Sequence, residues 1–363
     1  MTSSLSTPQA PQLVYLVFGA NTYHQEAVFS IASAIAGMRE TPGQALDIQV
    51  FTDNPAPYAQ LPVRIRSLDK ETRTQWSAPH GYHFRTKHVA LRSVLAESEC
   101  ALLIDTDTFF HCSPLKLFDR VKPGTLLCNA FGPRYGVFKQ VPLYVVLAER
   151  LSARGLADDA MPLLNSGVIG LMREDASVLD HSIALMDEFY PEVATSYTLE
   201  EFCLSVAAYR SKTVNECTDL IHHYWSRKQL FRAKTRAWLS KHEDDLLSTA
   251  ALDDTRRVTT HLPRPATWKR LMYKAVTAGV SSTQRQFLRE ILYGCTWHSN
   301  EFDRACSPVW WEKARENAEQ RLKHRLESAQ LSSWLNHWGV RQILGKRRDE
   351  IYRHLLAQES AKG

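Results

Sequence analysis

The stretch Ala101-Leu102-Leu103-Ile104-Asp105-Thr106-Asp107-Thr108 decides how this chain is read. Four apolar residues make a short run suited to a buried strand, and the run stops at two carboxylates one position apart. On an extended chain, side chains two positions apart point the same way. Two like charges on one side repel and are costly to bury unless a cation sits between them. Carboxylate oxygens are the hard ligands that Mg²⁺ and Mn²⁺ prefer. The pattern points to a divalent-metal site at the carboxyl end of a central strand, where open α/β sheets keep their ligand crevices. Read without a metal, the same residues are a strand ending in a polar turn, with Asp105 capping the next segment.

Outward from this strand the chain alternates strand and helix. Residues 14–18 read as a buried strand, followed by a polar turn at Gly19-Ala20-Asn21. A helical pattern begins near His24, with Val28, Ile31, Ala32 and Ile35 on one face, and Gly37 and Pro42-Gly43 end it. Residues 48–52 form a second strand closed by Asp53-Asn54-Pro55, and 63–65 a short third. Residues 88–97 place Leu91, Val94 and Leu95 on one helical face and lead into the Asp105 strand. This alternation is the mark of βαβ units and a mostly parallel sheet.

Further along, 126–129 and 163–172 read as strands, the second containing Asn165-Ser166-Gly167 and entered through a turn. Residues 178–190 make a helix stopped by Pro191. Residues 198–209 make another, with Thr198 as N-cap and Glu200 and Glu201 in its first turn, where the dipole favours them. A strand over 217–221 leads into His222-His223-Tyr224-Trp225. Beyond about residue 230 strand signals vanish and Trp, Arg, Lys and helix formers dominate. The chain thus divides into a disordered tail over 1–11, an α/β domain over 12–230 and a mainly helical region over 231–363.

The 363 residues are 44% apolar and 10% aromatic, an ordinary globular composition. A net charge of +5 permits an anionic substrate or an acidic membrane surface without demanding nucleic acid, for which no binding signature is present. Seven scattered cysteines without a Cys-x-x-Cys argue against a disulfide framework or structural zinc and fit a reducing compartment. The first residues lack the basic start and apolar core of a signal peptide. No apolar run approaches the ~18 to 20 residues of a membrane span. The expectation is a cytoplasmic protein, at most peripheral to the inner face of a membrane.

A metal held by two nearby aspartates needs ligands from elsewhere, and a neutral imidazole from His222 or His223 is suitable. Arg227 and Lys228, just beyond, are cations able to hold a diphosphate leaving group. Ile104-Asp105-Thr106-Asp107 after an apolar strand, Leu164-Asn165-Ser166-Gly167-Val168, and His223-Tyr224-Trp225-Ser226-Arg227-Lys228 together resemble a GT-A glycosyltransferase. The nearest type is the bacterial family 8-like group of nucleotide-sugar transferases. The likeness covers residues 12 to about 230. It implies a Rossmann-like fold, a UDP-sugar donor, and Mn²⁺ or Mg²⁺ bridging the diphosphate. In that family the aspartate pair and a later histidine hold the metal, matching Asp105, Asp107 and His223. The Gly-x-x-Lys-Pro-Trp that often comes after the family histidine is absent, so His222 stays open.

Other residues are candidates on physical grounds. Gly19, Asn21 and Tyr23 lie past the first strand, where a nucleoside would rest, and Tyr23 is able to stack on a base. Asp53 is an acceptor for uracil or ribose. Arg85 and Lys87 precede the metal strand and suit phosphate or donor sugar, and Thr106 lies between the two aspartates. Asn165 and Ser166 suit a sugar hydroxyl. Glu200 or Glu201 suits the general base of an inverting reaction. Each has an ordinary reading as a turn, cap or solvated charge. The expected reaction moves a hexose to a glycan or lipid-linked acceptor.

The 268–276 segment sets Trp268, Leu271, Met272, Ala275 and Val276 on one helical face beside Lys269, Arg270 and Lys274. Such a helix suits an anionic membrane surface, or packs its stripe on a core. Trp310, Trp311, Trp334 and Trp338 fill a core or offer stacking platforms. Two other functions fit parts of the pattern. A haloacid dehalogenase-like Mg²⁺ phosphatase would use Asp105 as nucleophile and Asp107 as acid/base, but that motif belongs on a first strand. A non-catalytic binding protein has no reason to keep a repulsive carboxylate pair.

Overall fold

The computed structural model describes residues 10–360 except 139, 195, 227 and 262. Of the expected tail, residues 1–9 lie outside the described residues, and so does Arg227. The chain forms two compact units, residues 1–225 with 242–255 and residues 226–241 with 256–363.

In the first unit β1 (Gln12–Val17), β2 (Asp47–Thr52), β3 (Arg64–Ser67) and β4 (Cys100–Ile104) run parallel. Between them come α1 (Asn21–Met38), α2 (Lys70–Ser77) and α3 (Arg85–Glu97). After β4 come β5 (Thr108–Phe110), α4 (Leu115–Phe118), β6 (Thr125–Arg134), α5 (Pro142–Ala153) and β7 (Pro162–Met172). The unit continues with α6 (Ser177–Val193), α7 (Leu199–Ala208), β8 (Thr213–Glu216) and β9 (Ile221–His223). The seven-stranded sheet has the order β3-β2-β1-β4-β7-β6-β8, and only β7 runs against the rest. This is a mostly parallel, helix-flanked sheet of the α/β kind that the alternation of strand and helix predicts.

The apolar run ahead of Asp105 forms β4, and its residues 101–104 are no more than 1% exposed. Leu91, Val94 and Leu95 of α3 pack with Ala101, Leu103, Ile169 and Leu171. Each of these leucine, valine and isoleucine side chains contributes about 1.5–3 kcal/mol on burial. The sheet is therefore anchored under the point where β4 ends. β1 lies between β2 and β4, so the carboxyl ends of three parallel strands meet where the strand order reverses. That is where an open α/β sheet has its crevice.

Several local expectations are corrected. Asp105 to Asp107 is a bend between β4 and β5, not an extended end of β4. Pro191 does not stop α6 but lies inside it. A proline cannot donate to the carbonyl four residues back, and that carbonyl, of Asp187, accepts instead from His80 Nε2 at 2.9 Å. Thr198 is the N-cap residue of α7 but makes no side-chain cap. The N–H of Glu200, which such a cap would take, donates to Tyr82 Oη at 3.1 Å. Gly37 lies within α1, where a Cβ would come 2.4 Å from the carbonyl oxygen of Cys112, so it serves close packing rather than termination. Residues 217–220 are not strand; they separate β8 from β9. Asn165-Ser166-Gly167 lies inside β7 rather than in a turn before it.

No strand comes after β9 among the described residues. α8 (Lys228–His242) and α9 (Thr249–Arg257) contribute residues to both units. The second unit continues with α10 (Thr267–Val276), α11 (Ser282–Gly294), α12 (Glu301–Arg304) and α13 (Ser307–Leu322). It ends with α14 (Ser328–Leu335), α15 (Trp338–Leu344) and α16 (Arg347–Ser360). Phe287, Ile291, Trp310, Trp311 and Trp334 share its core. Trp338 does not, being 77% exposed. The apolar stripe of α10 is split: Trp268, Leu271 and Met272 are exposed, whereas Val276 packs on that core beside the buried Tyr273. All seven cysteines are free thiols. No described helix is long and apolar enough to cross a membrane.

Candidate active site

The bend after β4 and the ribbon of β5 with β9 bring three ligand types together. Thr108 pairs with His223 across the ribbon, and Tyr224 N–H donates to the Asp107 carbonyl at 3.0 Å. Successive side chains on β9 point to opposite faces, so only one histidine can face the bend. It is His223, whose Nε2 lies 3.4 Å from Asp107 Oδ1 and 4.0 Å from Asp105 Oδ2. Ligand atoms of Asp105, Asp107 and His223 all lie within 4.8 Å of one another. His222 occupies the other face, its ring 5.2 Å from Phe109 and 6.1 Å from His111. It is not part of this cluster.

β7 runs beside β4 and forms the floor. Asp105 N–H donates to the Gly167 carbonyl at 2.9 Å. A Cβ on Gly167 would fall 2.2 Å from His223 Nδ1, so the absence of a side chain there makes the seat for the imidazole. Asn165 Oδ1 lies 2.9 Å from the same Nδ1.

Behind Asp105 is a buried polar network. Lys87 Nζ reaches Asp105 Oδ1 at 2.9 Å, Ser166 Oγ at 3.0 Å, the Ser166 carbonyl at 3.1 Å and Glu200 Oε2 at 3.7 Å. Burial by itself would lower the Lys87 ammonium, but the Asp105 and Glu200 carboxylates hold it well above its ordinary value. It stays charged. Glu200 receives His88 Nε2 at 2.7 Å and Ser166 Oγ at 2.8 Å. Burial pushes its carboxyl up, yet Lys87, His88 and Ser166 more than offset this and keep it below the ordinary range. Glu201 goes the other way: burial first, then the Glu200 charge, push it up to about 7. Its Oε1 accepts from Asn165 Nδ2 at 3.0 Å and from Ser166 N–H at 3.2 Å. Two adjacent glutamates therefore differ sharply in proton affinity.

The other candidates have settings of their own. Asp53 accepts from Gly19 N–H at 3.1 Å and Arg73 Nη1 at 3.3 Å, and its Oδ1 lies 3.5 Å from His24 Nε2. It ties down the turn after β1, where Gly19 adopts φ +92°. Asn21 begins α1, and Tyr23 is 42% exposed. Arg85 is clamped bidentately on Asp187 of α6, at 2.7 and 3.0 Å, and also donates to the Trp76 carbonyl at 2.7 Å. Thr106 is the middle residue of the bend, and Lys228 opens α8 in the second unit.

Residue-by-residue reading passed over His88 and the seating role of Gly167. His88 had a signal, since a histidine on the apolar face of α3 needs a polar partner once buried. Gly167 had none, because its neighbour comes from β9, more than fifty positions away.

The donor set suits a divalent ion such as Mn²⁺ or Mg²⁺, with two carboxylates, one imidazole and an oxygen-rich surround. No family model and no curated protein matches this chain. Solved structures similar to it include mouse xyloside xylosyltransferase 1, at 14% identity and TM-score 0.40 over 58% of this chain and 85% of that one. The bifunctional glycosyltransferase WbbM is similar at 13% identity and TM-score 0.42, over 75% of this chain and 52% of its own. The galactosyltransferase LgtC, in complex with donor and acceptor sugar analogues, is similar at 14% identity and TM-score 0.43, over 71% and 99%.

Proposed function

We propose that the chain is a metal-dependent glycosyltransferase that moves a hexose from a UDP-sugar to a glycan or lipid-linked acceptor. Residues 12–230 would be its catalytic domain and 231–363 a helical appendage. The observation that carries this reading is the convergence of Asp105, Asp107 and His223 within 4.8 Å, where β4 ends. In this reading the three hold Mn²⁺ or Mg²⁺, and a bound ion supplies charge neutralisation to the departing diphosphate. Lys87, buried and charged beside Asp105, fixes that carboxylate and keeps the pocket from being purely anionic. Gly19, Asn21, Tyr23 and Asp53 border the crevice at the end of β1 and β2, the proposed place of the nucleoside. In this reading Thr106 would serve the sugar, while Asn165 and Ser166, held by His223, Glu201, Lys87 and Glu200, would act through those partners. Glu201, held near neutrality at about 7, is the carboxyl suited to exchange a proton with an acceptor hydroxyl.

Asp107→Ala tests the assignment. Release of UDP from UDP-hexoses in the presence of Mn²⁺ is expected to be abolished, with the far-ultraviolet circular dichroism unchanged. Full metal-dependent turnover in that variant would remove the basis of the reading. The phosphatase alternative has nothing here to favour it, since the third member of the cluster is a histidine rather than a second acidic pair. The exposed face of α10, with Trp268 63% exposed and Lys274 at its end, supports a peripheral anionic-lipid contact as part of the proposal. Sedimentation with vesicles rich in phosphatidylglycerol is expected for the wild type and lost in Leu271→Glu; an unbound wild type would strike this part out.

A further inference from the structure

This inference rests on the metal reading of Asp105, Asp107 and His223 and concerns how His223 is presented to the ion. A neutral imidazole carries one proton, and the nitrogen without it is the one able to act as ligand. His223 Nε2 faces the two aspartates, while Nδ1 faces Asn165 Oδ1 at 2.9 Å. An amide can in general be turned over, but this one is fixed at both ends. Its Oδ1 accepts from Gly167 N–H at 3.1 Å, and its Nδ2 donates to Glu201 Oε1 at 3.0 Å. Turning it would set Nδ2 against the Gly167 N–H and Oδ1 against a glutamate oxygen. Glu201 Oε1 is held in turn by Ser166 N–H at 3.2 Å. With an oxygen facing it, Nδ1 has to be the donor.

We propose that Glu201 and Asn165 are positioning residues that lock His223 with its proton on Nδ1, so that Nε2 is available as the third metal ligand. Neither has to touch the ion. Glu201 Oε1 orients the Asn165 amide, the amide fixes the ring, and Gly167 leaves the room in which the ring sits. The glutamate thus acts on the ligand through two intervening hydrogen bonds. Partners that orient a metal-bound histidine in this way matter about 10- to 100-fold for metal affinity when removed.

Two readouts on the full-length protein test this. Long-range proton–nitrogen correlation on histidine-labelled protein reports which ring nitrogen of His223 carries the proton, with and without Mg²⁺. Nδ1 is expected to keep it in both states. Mn²⁺ titration followed by electron paramagnetic resonance gives the affinity. Asn165→Leu and Glu201→Leu are each expected to weaken Mn²⁺ binding about 10- to 100-fold and to release the Nδ1 proton. Glu201→Gln keeps an acceptor oxygen and is expected to preserve both the protonation pattern and the affinity. A wild-type ring protonated only on Nε2, or Asn165→Leu with unaltered Mn²⁺ affinity, overturns the proposal. The wild-type spectrum stands whether or not a leucine variant folds. If wild type binds no Mn²⁺ yet keeps its proton on Nδ1, the lock stands and the metal reading falls.

Discussion

Replacing Gly167 by alanine adds one methyl group to the interior of β7. Its Cβ would lie 2.2 Å from His223 Nδ1, 2.5 Å from Cε1 and 2.9 Å from Cγ, where ordinary contact begins at 3.4 Å. The ring must retreat by about 1.2 Å, because the strand backbone is held by β4 at Ile104 and Asp105. It cannot retreat and keep its partners. Asn165 Oδ1 at 2.9 Å and Asp107 Oδ1 at 3.4 Å both depend on its present place. Overpacking of this kind costs about 1–3 kcal/mol. Loss of the third ligand is expected to weaken Mn²⁺ at least about tenfold, or about 1.4 kcal/mol. Urea unfolding gives the first quantity and Mn²⁺ titration the second. Wild-type stability together with wild-type Mn²⁺ affinity in Gly167→Ala would refute the claim that this glycine seats a metal-binding imidazole.

Two further expectations come from the same geometry. His223→Ala should lose most Mn²⁺ affinity, whereas His222→Ala, on the opposite face of β9, should retain it; equal losses in calorimetric titrations would dissolve the distinction. Glu201 is raised from an ordinary 4.5 to about 7, so between those values the native state holds a proton that the unfolded chain has released. Its contribution to stability therefore falls as pH rises through that window. Urea melts across it should show a slope that Glu201→Gln lacks, and parallel profiles for the two proteins would contradict the raised value.

The parts of the fold that were legible in the sequence are those set by local pattern. The β4 run, the α3 stripe of Leu91, Val94 and Leu95, and the strand–helix alternation all depend on neighbours in the chain. Structure departs from sequence pattern where a distant partner replaces a local rule. Pro191 stays helical because His80 takes the stranded carbonyl, and Thr198 goes without its side-chain cap because Tyr82 receives the N–H. Glycines behaved likewise: Gly37 and Gly167 look like punctuation but answer to Cys112 and His223.

Sequence by itself determined that two carboxylates end a buried central strand, because hydrophobic run length and charge placement are local properties of the chain. It also narrowed the third member of the cluster to one of two adjacent histidines. Choosing between them needed the tertiary pairing of β5 with β9, since a shift of one residue in register exchanges the two faces of a strand. The same holds for the contrast between Glu200 and Glu201. Neighbours in sequence, they acquire opposite proton affinities only when folding sets one beside Lys87 and His88 and leaves the other buried next to its charge.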